Sequence, residues 1–259
     1  MAAELFSIGT ELTLGRIQDT NSFWMAAQLT GMGVNTRRIT VLSDDLDDIV
    51  AALTSSLKRG TALIMLTGGL GPTPDDRTVE ALCRLTGRPA EVSEPIVSDY
   101  MERRNIPREE VSAGLLKMAT APQGADTQPN PAGWAPCIRI DLDGTTLFVL
   151  PGPPREMEAV FTTHVTPYLA SRLTRRTCSL RVIVDMFESE VSPLMERVMR
   201  ECSEVYLKAY VALREGSAVG LPVDIVASGS NEVVALERLR AAETLFARLV
   251  REAGKSIRN

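Results

Sequence analysis

Short apolar runs alternate with amphipathic segments along the first two-thirds of the chain. Four of the runs are typical of β-strands: residues 4–9, 34–42, 62–67 and 146–150. The run ALIMLT at 62–67 is apolar throughout, as expected for a strand that is covered on both faces. Because helical segments separate these strands, the pattern predicts a mostly parallel sheet with helices on both of its faces.

The helices are predicted from apolar residues at helical spacing and from polar residues at their ends. The first helix begins at Thr20 or Asn21 and ends at Gly31 or Gly33. The second runs from caps at Ser43 and Asp44 to Gly60. Further helices are predicted over three segments: residues 78–87, 93–105 and 108–119.

A long stretch from Ala119 to Pro136 has no periodicity and is rich in Pro, Gly, Asn and Asp. Loops of this length inside a compact domain are usually functional or disordered. We predict that it acts as a flap over a substrate, with Trp134 available to stack on a base. After it, residues 137–152 are predicted to form a hairpin that turns at Asp143 and Gly144.

The pattern changes after about Arg172. Strands are predicted at residues 179–186, 205–213 and 221–229, and helices at 188–204 and 231–254. This βαββα order is self-contained and lacks a glycine-rich phosphate loop. We therefore predict two domains, a large α/β domain over residues 1–171 and a small α+β domain over residues 172–259.

The amino-acid composition limits the kinds of function that are expected for the protein. The 259 residues carry a formal net charge of −5, which gives no general reason to expect nucleic acid binding. No apolar run is long enough to span a bilayer, and the N-terminus does not resemble a secretory signal. The four cysteines show no CxxC spacing, so a cytoplasmic protein with reduced thiols is expected. With His164 as the only histidine, any metal should be a hard cation held by oxygens.

Acidic and glycine-rich segments follow the predicted strands. Glu11 follows the first strand, Asp44 the second, Gly68 and Gly69 the third, and the segment from Pro151 to Glu156 the last. If these strands are parallel, the segments meet at the carboxyl edge of the sheet, which is where open α/β sheets bind ligands. Asp44 and Glu11 are candidates to accept a proton from an attacking water.

The segment TGGLGPTPDDRT at residues 67–78 combines glycines with two adjacent carboxylates. Backbone N–H groups of such a loop can hold phosphate oxygens, and a divalent cation can bridge the carboxylates to the phosphate. The segment is neither a P-loop nor a GxGxxG fingerprint. The simpler alternative is a tight turn in which Asp75 caps the next helix, but this accounts for neither Asp76 nor the glycines. In the functional interpretation, Asp75 is the better candidate for the cap and Asp76 is free to face a metal ion.

At these residues the chain resembles the N-terminal part of the CinA competence/damage-inducible family, whose fold is the molybdopterin-binding domain of the MoaB and Mog type. Six further segments carry the resemblance: residues 9–12 with Gly15, 19–21, 44–45, 117–119, Asn130 with 133–136, and 150–157. The resemblance covers about the first two-thirds of the chain. It implies a three-layer α/β sandwich, and it implies that the tail is similar to a KH-type module. Because the GxxG loop of KH domains is missing, no RNA binding is predicted.

The resemblance also implies a metal-dependent hydrolase that cleaves the pyrophosphate of ADP-ribose or a related nucleotide. A homo-oligomer is expected, with a dimer favoured. A molybdopterin-binding protein of cofactor biosynthesis and a non-catalytic nucleotide-binding module are the alternatives. The expected cofactor is Mg²⁺, Mn²⁺ or Co²⁺. Three groups of residues are expected to act: the catalytic residues Asp76, Asp44, Glu11 and Lys117; the metal ligands Asp75, Asp76 and Glu156; and the substrate-binding residues Gly68, Gly69, Gly71, Thr73, Asn21, Asn130, Pro151 and Gly152.

Two departures from the family pattern affect these expectations. Cys137 stands where the family usually has a glycine near the site. In full-length CinA a further domain deamidates nicotinamide mononucleotide, and no deamidase activity is expected from the 259 residues of this chain.

Overall fold

The computed structural model describes residues 1–211 and 220–258. It divides into two compact units. The first comprises Met1–Leu29 and Val34–Arg172, and the second comprises Thr30–Gly33 together with the chain from Leu173 onward. The phosphate-loop segments all belong to the first unit.

The first unit is built around a six-stranded sheet with the strand order β2-β1-β3-β8-β7-β6. The strands β1, β2, β3 and β8 run parallel to one another, whereas β7 is antiparallel to both β8 and β6. A separate two-stranded ribbon pairs β4 with β5. The strand bounds are β1 Ala2–Ile8, β2 Asn35–Leu42, β3 Leu63–Thr67, β4 Ala90–Val92, β5 Thr120–Pro122, β6 Asp126–Gln128, β7 Cys137–Leu142 and β8 Thr145–Leu150.

Eight α-helices accompany these strands. A 3₁₀ turn at Arg108–Glu110 precedes α6, and a π-helical turn at Phe161–Val165 lies between α7 and α8. The helix bounds are α1 Thr10–Thr13, α2 Asn21–Gly31, α3 Leu46–Lys58, α4 Thr78–Thr86, α5 Glu94–Arg104, α6 Ala113–Met118, α7 Pro154–Val160 and α8 Thr166–Arg172.

The two faces of the sheet are both buried. On one face, Phe6 and Ile8 of β1 belong to a core that includes Ile49 of α3 and Leu82 of α4. On the other face, Leu5 is also fully buried. Because side chains alternate along a strand, burial of successive residues requires cover on both sides. The predicted three-layer α/β sandwich with a mostly parallel sheet is confirmed.

The second unit contains an antiparallel sheet with the order β10-β11-β9-β12 and one apolar core shared with two helices. Its α+β character is as predicted. The predicted strand over residues 205–213 ends earlier, at Ala209, and residues 212 and 213 lie outside the described part. The bounds are β9 Arg176–Val184, α9 Glu188–Glu201, β10 Val205–Ala209, β11 Leu221–Gly229, α10 Glu232–Glu252 and β12 Ile257–Arg258.

Several helix ends differ from the prediction. The carboxylate of Asp45, not of Asp44, caps α3 by accepting from two backbone N–H groups at 3.0 Å. At the start of α2 the backbone N–H of Ser22 donates to the carboxylate of Asp19, which precedes the predicted caps Thr20 and Asn21. Residues 108–119 do not form one helix, because Ser112 caps a separate helix, α6, by accepting from the N–H of Leu115.

In the part of the chain that the structure describes, no helix combines the length and the apolar character needed to cross a membrane.

Candidate functional site

A cleft of about 500 Å³ lies at the carboxyl ends of β1, β2, β3 and β8. The four segments that follow these strands all contribute to its lining, as expected for parallel strands that end at one edge of a sheet. Ten of the residues expected to act line it: Glu11, Asn21, Asp44, Gly68, Gly69, Gly71, Asp75, Asp76, Gly152 and Glu156.

The glycine-rich loop after β3 is fitted tightly against the sheet edge. Gly68 has φ of 100° and Gly69 has φ of 65°, in the left-handed region that favours glycine. A Cβ atom on Gly68 would overlap the carbonyl oxygen of Ile8, and one on Gly69 would overlap the Thr78 hydroxyl. That hydroxyl donates to the Gly68 carbonyl at 2.8 Å. The loop therefore lies close to the end of β1, in a conformation that other residues rarely adopt.

The turn after the glycines is closed by side chains on both sides. The Asp76 carboxylate accepts from the backbone N–H and the hydroxyl of Thr73, at 2.9 and 2.5 Å. Lys117 donates to the carbonyl of Thr73 and, at 2.9 Å, to that of Asp76. The ammonium group thus holds the turn by its backbone, and neither Lys117 nor Thr73 lines the cleft.

The predicted capping role of Asp75 is wrong. Helix α4 begins at Thr78, its N-cap residue is Arg77, and no side chain caps it. Asp76, which was expected to be free, is the carboxylate that closes the turn through Thr73. Asp75 is exposed at the cleft wall.

Glu156 is fixed by residues outside the cleft. The Asn130 side-chain amide donates to the Glu156 carboxylate at 2.7 Å and to the Ala135 carbonyl at 2.9 Å. A Cβ atom on Gly133 would overlap the Glu156 carboxylate, so this close approach requires glycine. Asn130 is 2% exposed and does not line the cleft. In this structure it positions Glu156.

The segment predicted as a flap is held in place by strand pairing and side-chain contacts. It contains β5 and β6, both of which pair with neighbouring strands. Trp134 packs edge-on against Tyr100 at 5.5 Å between ring centroids, and the Arg103 guanidinium lies 4.2 Å from its ring centre. The Tyr100 hydroxyl also donates to the Trp134 carbonyl at 2.6 Å, and burial raises the pKa of Tyr100. Trp134 is therefore a fixed wall of the cleft.

A hydrogen-bonded network forms the floor. The Asn21 amide donates to the Thr67 hydroxyl at 3.0 Å and to the Gly152 carbonyl at 2.7 Å. The Thr67 hydroxyl in turn donates to the Pro151 carbonyl at 2.6 Å. Pro151 is buried beneath the cleft and does not line it. The network joins the start of α2 to the ends of β3 and β8.

Glu11 and Asp44 lie at the ends of β1 and β2. One oxygen of Asp44 accepts from the backbone N–H and the hydroxyl of Thr10, at 2.7 and 2.8 Å. The Glu11 carboxylate lies over the backbone of Gly9. Within residues 1–211 and 220–258, Glu11 forms no hydrogen bond or ion pair through its carboxylate. Asp44 is thus held in place, and Glu11 is the unpaired acid beside it.

The charged side chains that line the cleft are all acidic. Among the described residues its lining includes no Lys, Arg or His, and none of its carboxylates takes part in an ion pair. A phosphate 4 Å from even one carboxylate is repelled by about 4 kcal/mol at an effective dielectric constant of 20. One hydrogen bond from a backbone N–H to a charged phosphate contributes about 1.5–3 kcal/mol net, less than this repulsion. A bare phosphate is therefore disfavoured. The acids are Glu11, Asp19, Asp44, Asp75, Asp76 and Glu156.

Carboxylate oxygens suit the hard divalent cation that the resemblance implies. However, in the part of the chain described, no three His, Cys, Asp or Glu side chains are grouped so that they could hold a metal ion. Asp75, Asp76 and Glu156 are not brought together as a three-carboxylate site. Asp76 is engaged by Thr73 and Glu156 by Asn130. The residues therefore do not form a preassembled cage for a resident metal.

Some cleft residues were not assigned by the sequence analysis, among them Asp19 and Ser7. Asp19 lies in the segment at residues 19–21, which carries the family resemblance. Ser7 lies within the first apolar strand, where a lone serine gives no signal of its own. Cys137, the departure from the family pattern, is 1% exposed and does not line the cleft. Burial raises the pKa of its thiol to about 12.

Comparison with known proteins identifies the family to which the chain belongs. The family profile described as "Probable molybdopterin binding domain" matches residues 4–171, which contain the whole cleft. The chain belongs to this family. The MoaB/Mog-like domain predicted from the glycine loop and the segment at residues 150–157 is thereby confirmed.

Two relatives and one solved structure are similar to this chain, and CinA is named for one of the relatives and for the solved structure. A protein of Pyrobaculum aerophilum is 39% identical over 233 residues, which cover 89% of this chain and 87% of that protein. A CinA-like protein of Kosmotoga olearia is 41% identical over 172 residues, covering 65% of this chain and 41% of its own length. The crystal structure of the protein CinA from Thermoplasma acidophilum matches with a TM-score of 0.57 and 32% identity, over 64% of this chain and 96% of that one. The first unit is thus CinA-like.

Proposed function

We propose that the cleft binds a nucleoside diphosphate as its complex with a divalent cation, and that the protein hydrolyses the pyrophosphate of ADP-ribose or a related nucleotide. One observation carries the proposal: a phosphate-type glycine loop opens into a cleft whose charged lining is entirely acidic. Such a cleft favours a diphosphate only when a cation accompanies it. Mg²⁺ is commonly held in this way, by one or two carboxylates and the phosphates of the substrate.

The cation in this proposal is part of the substrate complex, which agrees with the lack of a three-carboxylate group among the described residues. It offsets the charge of the diphosphate and polarises its phosphoryl oxygens. Asp44, Asp75, Asp76 and Glu156 are the carboxylates available to it at the cleft wall. The glycine loop supplies backbone N–H groups for the phosphate oxygens.

Glu11 is the proposed general base because its carboxylate is unpaired and the neighbouring Asp44 is already held by Thr10. Glu11 accepts a proton as the water oxygen bonds to phosphorus. The bridging P–O bond breaks, and its oxygen leaves with the other phosphate. ADP-ribose and water thus give AMP and ribose 5-phosphate. Lys117 supports the reaction by holding the turn that contains Asp76.

Molybdopterin binding is the second candidate, favoured by the family to which residues 4–171 belong. It requires the same loop and cleft but no hydrolysis. A third outcome is nucleotide binding without turnover. A cytoplasmic homodimer, expected from the sequence, completes the proposal, and light scattering tests the dimer.

The test is to incubate the pure protein with ADP-ribose and Mg²⁺, Mn²⁺ or Co²⁺, and to measure AMP by chromatography. We expect AMP with at least one cation and none in excess EDTA. The matched control is Glu80→Gln, an exposed acid on α4 that pairs with Arg77 outside the cleft and should not affect turnover. Absence of AMP with all three cations at saturating ADP-ribose would contradict the hydrolase. Tight pterin binding in that case would favour the second candidate.

A further inference from the structure

Two buried polar atoms at the floor of the cleft have no hydrogen-bond partner in the described part of the chain. They are the Ser7 hydroxyl oxygen and the Asn21 side-chain oxygen. Ser7 is 1% exposed and Asn21 is 8% exposed, and both residues line the cleft. Buried polar groups in folded proteins are nearly always hydrogen-bonded. Two such atoms without partners at the floor of a cleft therefore indicate a hydrogen-bond partner that comes from outside the chain.

The orientation of the Asn21 amide is determined by its neighbours. Its nitrogen donates to the Gly152 carbonyl, which can only accept. It also donates to the Thr67 hydroxyl, whose own hydrogen is used on the Pro151 carbonyl. A flipped amide would place its oxygen against these acceptors. The unpaired atom of Asn21 is therefore its oxygen, a group that can only accept a hydrogen bond.

Ser7 lies beside the same network. Ser7 on β1 and Thr67 on β3 are partners in the register of two parallel strands, so their side chains are neighbours on one face of the sheet. Thr67 is the residue that accepts from Asn21, and Gly68 of the glycine loop follows it directly. The two unpaired atoms thus flank Thr67 at the base of the proposed phosphate loop.

The hydrogen-bonding chemistry of Ser7 and Asn21 determines which ligand groups can bind to both side chains. A phosphate, a carboxylate or a carbonyl has no hydrogen to donate to the Asn21 oxygen. A hydroxyl group can donate to Asn21 and at the same time accept from Ser7. We propose, on the basis of the proposed function, that Ser7 and Asn21 form a subsite that binds a sugar hydroxyl next to the phosphate. The ligand class is therefore a phosphorylated sugar or a ribonucleotide, in preference to its deoxy analogue.

Calorimetric titration in the presence of Mg²⁺ tests the subsite. The paired probes are ADP against 2′-deoxy-ADP and 3′-deoxy-ADP, and ribose 5-phosphate against 2-deoxyribose 5-phosphate. In the wild type we expect one deoxy analogue to bind roughly thirtyfold more weakly, the effect of about two hydrogen bonds. In Ser7→Ala, where only the hydrogen bond to Asn21 remains, that preference should shrink to roughly fivefold. Inorganic pyrophosphate, which lacks a sugar, should bind both proteins equally.

Thr36→Val is the matched control. The Thr36 hydroxyl is also buried without a partner among the described residues, but Thr36 does not line the cleft. Thr36→Val should therefore keep the wild-type preference. Both variants should keep their melting temperature, because an unpaired hydroxyl contributes no bond to the fold. If Ser7→Ala fails to fold, Ser7→Cys keeps the volume and weakens the donor.

Three outcomes would overturn the subsite: no preference in the wild type, an unchanged preference in the Ser7 variant, or an equal loss of pyrophosphate affinity in that variant. Hydroxyl-dependent binding without AMP release would reject the hydrolase and retain the subsite. AMP release without a hydroxyl preference would do the reverse. A wild type that binds none of the probes would reject both.

Discussion

Carboxylates occur at both ends of the central sheet, but among the residues described they form ion pairs near its amino end and none in the cleft at its carboxyl end. Near the amino end, Glu4 of β1 is 2% exposed and accepts from two nitrogens of Arg59, at 2.9 and 2.5 Å, and from the Thr61 hydroxyl at 3.1 Å. At the carboxyl end, none of the cleft carboxylates forms an ion pair within the described part of the chain. Charge is paired internally where it stabilises the fold, and is left without an ion pair where a ligand can bind.

The pKa of Glu4 reflects this pairing. The hydrogen bond from Arg59 lowers it most, and those from Ser56 and Thr61 lower it further, whereas burial alone would raise it. Glu4 should therefore influence stability without affecting catalysis, and the cleft acids should do the opposite. Substitutions at Glu4 and at the cleft acids should therefore have separable effects.

The largest effect is expected for Glu11→Gln. The amide keeps the shape of the side chain but cannot accept the proton of the attacking water. AMP release should fall by about 10²–10⁴-fold, the usual contribution of a general base. The free energy of unfolding should stay within about 0.5 kcal/mol of the wild type, because the Glu11 carboxylate forms no hydrogen bond or ion pair within the described structure. Wild-type turnover in this variant would assign the base elsewhere, with Asp44 as the next candidate.

Glu4→Gln should show the reverse behaviour. The variant loses the charge-assisted hydrogen bonds of Arg59, each of which contributes about 1.5–3 kcal/mol, while the other hydrogen bonds to the site can be kept. We expect a loss of unfolding free energy of that size in urea titrations. The kcat for AMP release, measured where the variant is fully folded, should be unchanged. A fall in kcat without a loss of stability would remove the contrast between the two ends of the sheet.

The contribution of Glu4 should also depend on pH. Its pKa is lower in the folded protein than its ordinary value of 4.5, so the unfolded chain binds the proton more readily. The stabilisation is therefore fully present above about pH 4.5 and is lost as the pH falls through the folded-state pKa. Urea titrations at pH 7 and below pH 4 should show the stability gap between wild type and Glu4→Gln narrowing at the lower pH. A constant gap would show that Glu4 acts through packing alone.

The smallest effect is expected from Gly133→Ala. The added methyl group overlaps the Glu156 carboxylate, which must move from its place at the cleft wall. Affinity for ADP with Mg²⁺ should fall by about tenfold, equivalent to ~1.4 kcal/mol. Gly31→Ala is the control, since a Cβ atom there meets nothing within 4 Å. Equal affinities in the two variants would exclude Glu156 from ligand binding.

Much of the fold could be predicted because local pattern and tertiary structure agree. The apolar run at 62–67 forms a strand buried on every residue from Leu63 to Thr67. The Asp143-Gly144 turn has φ of 48° and 83°, as a tight hairpin requires. The convergence of four strand ends on one cleft followed from their being parallel.

The predictions that failed concern side-chain roles that are determined by residues distant in the sequence. Asp44 and Asp45 carry the same local capping signal, and only the hydrogen bonds from Thr10 to Asp44 separate their roles. Lys117 sits in a helical pattern, and its contact with carbonyls at residues 73 and 76 depends on packing between segments. Ser7 is detectable only from burial and missing partners, which a sequence does not record. The sequence pattern therefore did not predict which groups these side chains contact in the folded protein.

The cleft acids come from four segments spread between Glu11 and Glu156, with no short stretch of chain supplying more than a fragment of the site. Parallel strands pair residues that are far apart in the sequence, and closing such long loops is slow relative to forming local structure. The cleft therefore exists only once β2, β1, β3 and β8 have assembled in order. During refolding, ligand binding should return last, after helix content. A ligand that binds only the assembled cleft raises the stability of the folded state in proportion to the logarithm of its concentration above Kd.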